Sequence, residues 1–171
     1  RAVWCSVPGI REHSSVFTPD DILAGAQPEV GPVVVYDDDH YYLGGLIAEV
    51  LVLAGLQVAL LTPGPEVSHW TQNTMEQHRI EERLLRLGVK LVCKRTLTAV
   101  QSDHVVAKCN MTGKEEALSA ASVVLVTARL PSNELYLSLA GGEEELLEDL
   151  PFKLNRIGDC LAPSTIAAAV Y

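Results

Sequence analysis

The stretch Val33-Val34-Val35-Tyr36-Asp37-Asp38-Asp39-His40-Tyr41-Tyr42-Leu43-Gly44-Gly45 decides the reading of this chain. Val33–Tyr36 is a β-branched run of the kind that forms a strand buried on both faces. A turn follows. From Leu43 to Ala54 the residues Leu46, Ile47, Val50, Leu51 and Ala54 recur at helical spacing, and Gly55 supplies a left-handed stop. Gln57–Thr62 is the next strand, ended by Pro63-Gly64-Pro65. Strand, turn, helix and strand fall within about thirty residues, the length of one βαβ unit, whose crossover is expected to be right-handed.

Outward from this unit the pattern predicts a second helix over Thr74–Leu87, started by Ser68 or Thr71 and stopped by Gly88, then a third strand at Val89–Cys93. Three short antiparallel strands follow at Thr96–Val100, His104–Cys109 and Glu115–Ser119, and Ser122–Val126 is another wholly apolar strand. This order predicts an α/β fold: a three-layer Rossmann-like domain with a parallel sheet and a small antiparallel meander. Residues 1–32 show little periodicity. Within them Thr18-Pro19-Asp20-Asp21 predicts one short helix, with Thr18 as N-cap and Pro19 as its first residue. Residues 131–171 read as a helix near Asn133–Leu139, an acidic stretch over Glu143–Asp149, a short strand at Lys153–Ile157, and a last helix beginning around Pro163-Ser164-Thr165. The chain opens without Met and closes on Ile166-Ala167-Ala168-Ala169-Val170-Tyr171, with no stop signal. We therefore expect an excised piece of a larger protein.

The 171 residues are 48% hydrophobic and 20% charged, which allows a core. Thirteen basic against 22 acidic residues give a net charge of −9. That balance argues against a nucleic-acid or anionic-membrane partner, since both require clustered cations. No apolar run is long enough to span a bilayer. Cys5, Cys93, Cys109 and Cys160 lie far apart without a CxxC pair, which indicates neither zinc nor a disulfide scaffold; a cytoplasmic setting is expected.

The turn after the first strand is the informative site. A dinucleotide-binding unit places glycines there so that the backbone can approach a pyrophosphate at the helix N-terminus. Here Asp37-Asp38-Asp39 takes that place. Gly44 and Gly45 are the glycines left for a working cofactor site. The second strand ends in Leu61-Thr62-Pro63-Gly64, with neither the acid that holds a ribose nor an Arg for its 2′-phosphate. Loss of pyridine-nucleotide binding is the expectation. The acids themselves read as helix caps, with Asp39 accepting amide hydrogens. Asp37-x-Asp39 misses both the paired-aspartate phosphotransferase pattern and an EF-hand, because Tyr41 and Tyr42 stand where those motifs need other residues. No catalytic or metal-ligating set emerges: His40 reads as packing or interface, His69, His78 and His104 lack ligand spacing, and Cys160 reads as structural. Gly158-Asp159 is the other candidate, since a strand, Gly-Asp and a helix start suit the ribose and pyrophosphate part of a flavin or adenine nucleotide.

These residues carry a family resemblance. The Asp37–Gly45 turn with its strand, Ala128-Arg129-Leu130-Pro131, Ile157-Gly158-Asp159-Cys160-Leu161-Ala162-Pro163 and Phe17-Thr18-Pro19-Asp20-Asp21 resemble the trimethylamine/dimethylamine/histamine dehydrogenase group, NADH:flavin oxidoreductases related to old yellow enzyme. The resemblance covers nearly the whole chain. It implies an enzyme with an N-terminal barrel holding FMN, a 4Fe-4S cluster, and FAD-like and NADPH-like domains, with ADP or FAD in the former. Residues 33–130 would be the NAD(P)H-like domain. Residues 1–32 and 131–171 would be segments shared with the FAD-like domain, the latter truncated. Gly158 and Asp159 would contact ADP in the intact enzyme. The isolated chain would hold no cofactor and catalyse nothing, and its partner would be the rest of its own polypeptide. Two alternatives are kept: a working NAD(P)H domain of an enoate or dienoyl reductase relative, and an acidic interaction module that docks an electron-transfer protein.

Overall fold

The computed structural model describes residues 7–10, 15–28, 31–140 and 154–163. The chain divides into two compact units, residues 2–128 and residues 129–171 with Arg1.

In the first unit β1 (Val16–Phe17), β2 (Val33–Asp37), β3 (Val58–Leu61), β4 (Lys90–Val92) and β8 (Ser122–Val126) form a parallel sheet in the order β1-β8-β2-β3-β4. The intervening β5 (Arg95–Val100), β6 (His104–Cys109) and β7 (Glu115–Ser119) form a three-stranded antiparallel meander. Helices α1 (Pro19–Leu23), α2 (Tyr42–Leu53) and α3 (Gln77–Arg86) complete the unit.

Alternation along the buried strands builds the layers. Val34, Tyr36, Val123 and Leu125 join Leu97, Val100, Val105, Ala107 and Leu118 of the meander in one core cluster. Their neighbours Val33, Val35, Val124 and Val126 point the other way, into a second cluster with Ile47, Ala48 and Leu51 of α2 and Leu84 of α3. The parallel sheet is thus the middle of three layers, as the pattern predicts. Its inner strands β2, β3 and β8 are almost wholly apolar because both faces are covered, whereas the edge strand β4 begins with the exposed Lys90.

The helix ends follow local chemistry. Thr18 and Asp21 form a capping box: the Asp21 amide donates to Thr18 Oγ1 at 3.2 Å, and the Thr18 amide donates to Asp21 Oδ2 at 2.7 Å. Helices α2 and α3 end in the same way. Gly55 (φ 88°) and Gly88 (φ 84°) follow the caps, while Leu56 and Val89 donate back to the Leu51 and Leu84 carbonyls.

Three differences from the sequence reading have physical causes. The lead-in contains β1, which pairs with β8 and at two residues is too short to show a period. The helix expected over Thr74–Leu87 begins only at Gln77. His69–Thr74 is a 3₁₀ turn, and Met75 (φ 60°) breaks the path between them. In the second unit α4 (Glu134–Leu139) is present, but Leu154–Ile157 is not a strand; Ile157 is exposed, and Arg156 lies over the Tyr136 ring at 4.5 Å, so the run lacks the buried alternation of a ladder. The acidic stretch Glu143–Asp149 and the helix expected after Pro163 lie outside the described residues.

Candidate functional site

The turn between β2 and α2 lies at the carboxyl end of the sheet, where β2 is flanked by β8 on one side and β3 on the other. This is the position at which open α/β sheets place ligands. Asp37 closes the β2 ladder opposite Val126 and is completely buried. By strand alternation it points with Val33 and Val35 to the helix side. Its Oδ1 accepts the backbone amides of Asp39 (3.2 Å) and His40 (3.1 Å). Its Oδ2 has no hydrogen-bond partner. The carboxyl lies on Gly44 of α2: a Cβ built there would meet Asp37 Cγ at 2.3 Å and Oδ2 at 2.5 Å. Burial pushes the Asp37 pKa up from 3.8 to about 7, opposed by the His40 and Asp39 amide bonds and aided by the charges of Asp39 and Asp38.

Gly45 is also covered. A Cβ there would meet Ile80 Cγ2 at 3.2 Å and the buried Ser68 Oγ at 3.3 Å. Both glycines thus serve close approach of the chain's own side chains to α2. The sequence reading gave the capping part to Asp39. The structure gives the amide-accepting part to Asp37, and Asp38 and Asp39 are exposed. The N-cap position of α2 is Tyr41, and no side chain bonds to the helix's first amides.

The end of β3 is tied to the same turn. Thr62 is fully buried; its Oγ1 accepts the Gly64 amide at 3.1 Å and lies 3.3 Å from His40 Nδ1. His40 stands in the left-handed region (φ 61°), its carbonyl accepts the Trp70 amide at 2.9 Å, and its Nε2 is 3.6 Å from Asp38 Oδ1. The threonine where a ribose-binding acid would stand is therefore spent on internal bonds.

In the second unit Gly158 (φ 56°) opens a 3₁₀ turn over Gly158–Cys160 and accepts the Leu161 and Ala162 amides at its carbonyl. Asp159 is exposed, and its carbonyl accepts the Ser132 amide at 3.0 Å. Among the described residues no group of three or more His, Cys, Asp or Glu is placed to hold a metal ion.

One feature escaped the sequence reading. Cys109, at the end of β6, has its pKa pulled down from 9.0 to about 7, chiefly by the Thr112 side chain and then by the Thr112 and Met111 backbone. The signal in sequence is a hydroxyl three residues beyond the cysteine in a Gly-containing hairpin, Cys109-Asn110-Met111-Thr112-Gly113.

Comparison with known proteins fits this architecture. No family model matches the chain. It is similar to histamine dehydrogenase from Rhizobium sp. 4-9, at 39% identity and a TM-score of 0.84, covering 99% of this chain and 28% of that one. It is similar to 6-hydroxypseudooxynicotine amine oxidase from Pseudomonas geniculata N1, at 34% identity and a TM-score of 0.87, covering 100% of this chain and 25% of that one. A multifunctional alkene reductase/demethylase of Caballeronia cordobensis is 27% identical over 97% of this chain and 28% of its own length. A water-forming NADH oxidase from Lactobacillus brevis, bound to NADH, shares the fold at 17% identity and a TM-score of 0.60 over 81% of this chain and 30% of its own. The chain thus spans about a quarter of the length of the amine-oxidising relatives. The match runs along the whole of this chain, and with its Rossmann-like architecture it makes the chain similar to one region of the amine-oxidising histamine dehydrogenase and 6-hydroxypseudooxynicotine amine oxidase, and to one region of an old yellow enzyme-type alkene reductase.

Proposed function

We propose that this chain is a nucleotide-binding-like domain of a flavin- and iron–sulfur-dependent amine dehydrogenase. In this reading it has lost pyridine-nucleotide binding and serves structure and docking within the longer polypeptide. The observation that carries the reading is the Asp37 carboxyl, buried against Gly44 at the strand–helix turn where a dinucleotide-binding unit has glycine. The internally bonded Thr62 supports it from the ribose side. The chain's own residues hold the turn closed; the hydride and electron chemistry, with FMN, a 4Fe-4S cluster and ADP or FAD, belongs to the rest of the protein. In this reading residues 33–130 are the body of the nucleotide-binding-like domain, and residues 1–32, whose β1 joins its sheet, and residues 131–171 are the segments by which it connects to the FAD-like domain. The exposed Asp159 beside Gly158 supports a contact from that return segment to ADP.

Titration calorimetry of the 171-residue chain with NADH and NADPH tests the reading. No binding heat is expected. Micromolar binding of either would overturn it in favour of a working NAD(P)H domain.

A further inference from the structure

We propose that the Asp37 carboxyl is a built-in stand-in for a phosphate: the β2–α2 turn keeps an anion seat of the chain's own making, and Asp37 closes it from within. The inference rests on the proposed loss of nucleotide binding and names its cause. Four observations carry it. Asp37 Oδ1 accepts two successive backbone amides, Asp39 and His40, the donor pattern by which backbone loops grip phosphate oxygens. Helix α2, twelve residues long, begins with no N-cap side-chain bond and no acid in its first turn, and the exposed Glu76 reaches it at the Tyr42 hydroxyl, so Asp37 is the buried carboxyl at this helix start. Asp37 Oδ2 is buried and unpartnered, and it points at the first turn of that helix. An orphaned buried carboxyl oxygen is a costly way to fill space that an apolar side chain could fill. Finally, Gly44 leaves a hollow of carboxyl size, and only the missing Cβ permits the contact.

Asp38 and Asp39 do not share this role, because both are exposed. Their repulsion of an anion acts through solvent and is screened by salt. The block is therefore a matter of occupied volume and satisfied donors at one residue. The ligand class of the opened seat is a phosphate or pyrophosphate, free or as an ester.

The test uses inorganic pyrophosphate as the probe, titrated calorimetrically into four versions of the 171-residue chain. These are wild type, Asp37→Gly, Asp38→Asn with Asp39→Asn, and all three substitutions together. Wild type and the double variant are expected to bind nothing measurable. Asp37→Gly should gain at least about tenfold in association constant, and the triple variant more. If the double variant binds as well as the triple, charge repulsion and not occupancy is the barrier, and the proposal falls. It falls equally if the triple variant melts cooperatively yet binds no pyrophosphate; that outcome leaves the functional reading standing. NADH binding by wild type, in contrast, overturns the functional reading itself. Should the glycine variant not fold, Asp37→Ser carries the same test, since its shorter side chain vacates the hollow over Gly44.

Discussion

Asp37 is an acid whose charged form is disfavoured by burial. Its raised pKa makes the folded chain bind a proton more tightly than the unfolded one. The associated stability is fully present below about pH 4 and is lost as pH rises to about 7. The interval from 3.8 to about 7 corresponds to roughly 4 kcal/mol. Asp37→Asn should remove this loss, so the difference in unfolding free energy between variant and wild type should change steadily from pH 4 to pH 7 in denaturant titrations. A difference that stays constant with pH would refute it. Gly44 is the reciprocal residue. Gly44→Ala drives a methyl into Asp37 and should cost about 1–3 kcal/mol. In an Asp37→Ala background most of that cost should vanish, and a double-mutant cycle reads the coupling directly. The acids of this turn were legible as a departure from a glycine fingerprint. Which acid turns inward depended on the pleat: Asp37 shares the parity of Val33 and Val35, and so faces α2.

At the scale of elements, ends obey rules written in a few adjacent residues. Thr18-Pro19-Asp20-Asp21 carries its own cap, and Thr18→Ala should cost about 1 kcal/mol in thermal or denaturant unfolding. The expected α1 appeared for that reason, since the capping box needs only contacts three residues apart. Gly55 and Gly88 were legible in the same way. The 3₁₀ turn at His69–Thr74 was not, because Met75 adopts a left-handed conformation that no local preference of methionine requires. The β6–β7 hairpin holds a second element-scale expectation. Thr112→Val removes one donor to Cys109 and should move its thiolate titration back towards the ordinary cysteine range, followed by ultraviolet absorbance. An unchanged titration would mean that the backbone amides alone set it.

On the scale of the molecule, the parallel sheet of residues 2–128 is stabilised from both sides. Leu97 of the meander is almost fully buried against the sheet. Leu97→Ala should cost about 2–5 kcal/mol. The loss should be felt by the whole unit: hydrogen-exchange protection in β2 and β3 should fall together with that in β5 and β6. A meander that opened alone, with sheet protection intact, would show two independent layers. Among the described residues no helix is long and apolar enough to cross a membrane.

The sequence by itself determined the order of strands and helices from β2 to β8, the 3₁₀ turn at His69–Thr74 apart, together with the two-sided burial of β2, β3 and β8 and the helix stops, because these depend on period and on neighbours a few residues away. It also marked the β2–α2 turn as abnormal and carried the family resemblance that the full-length matches bear out. Only the tertiary structure decided what the abnormal turn does. Gly44 and Asp37 are seven positions apart, on a helix and a strand, and the packing of α2 on the sheet brings them into contact. Burial, which is a property of that packing, is also what raises the Asp37 pKa from 3.8 to about 7.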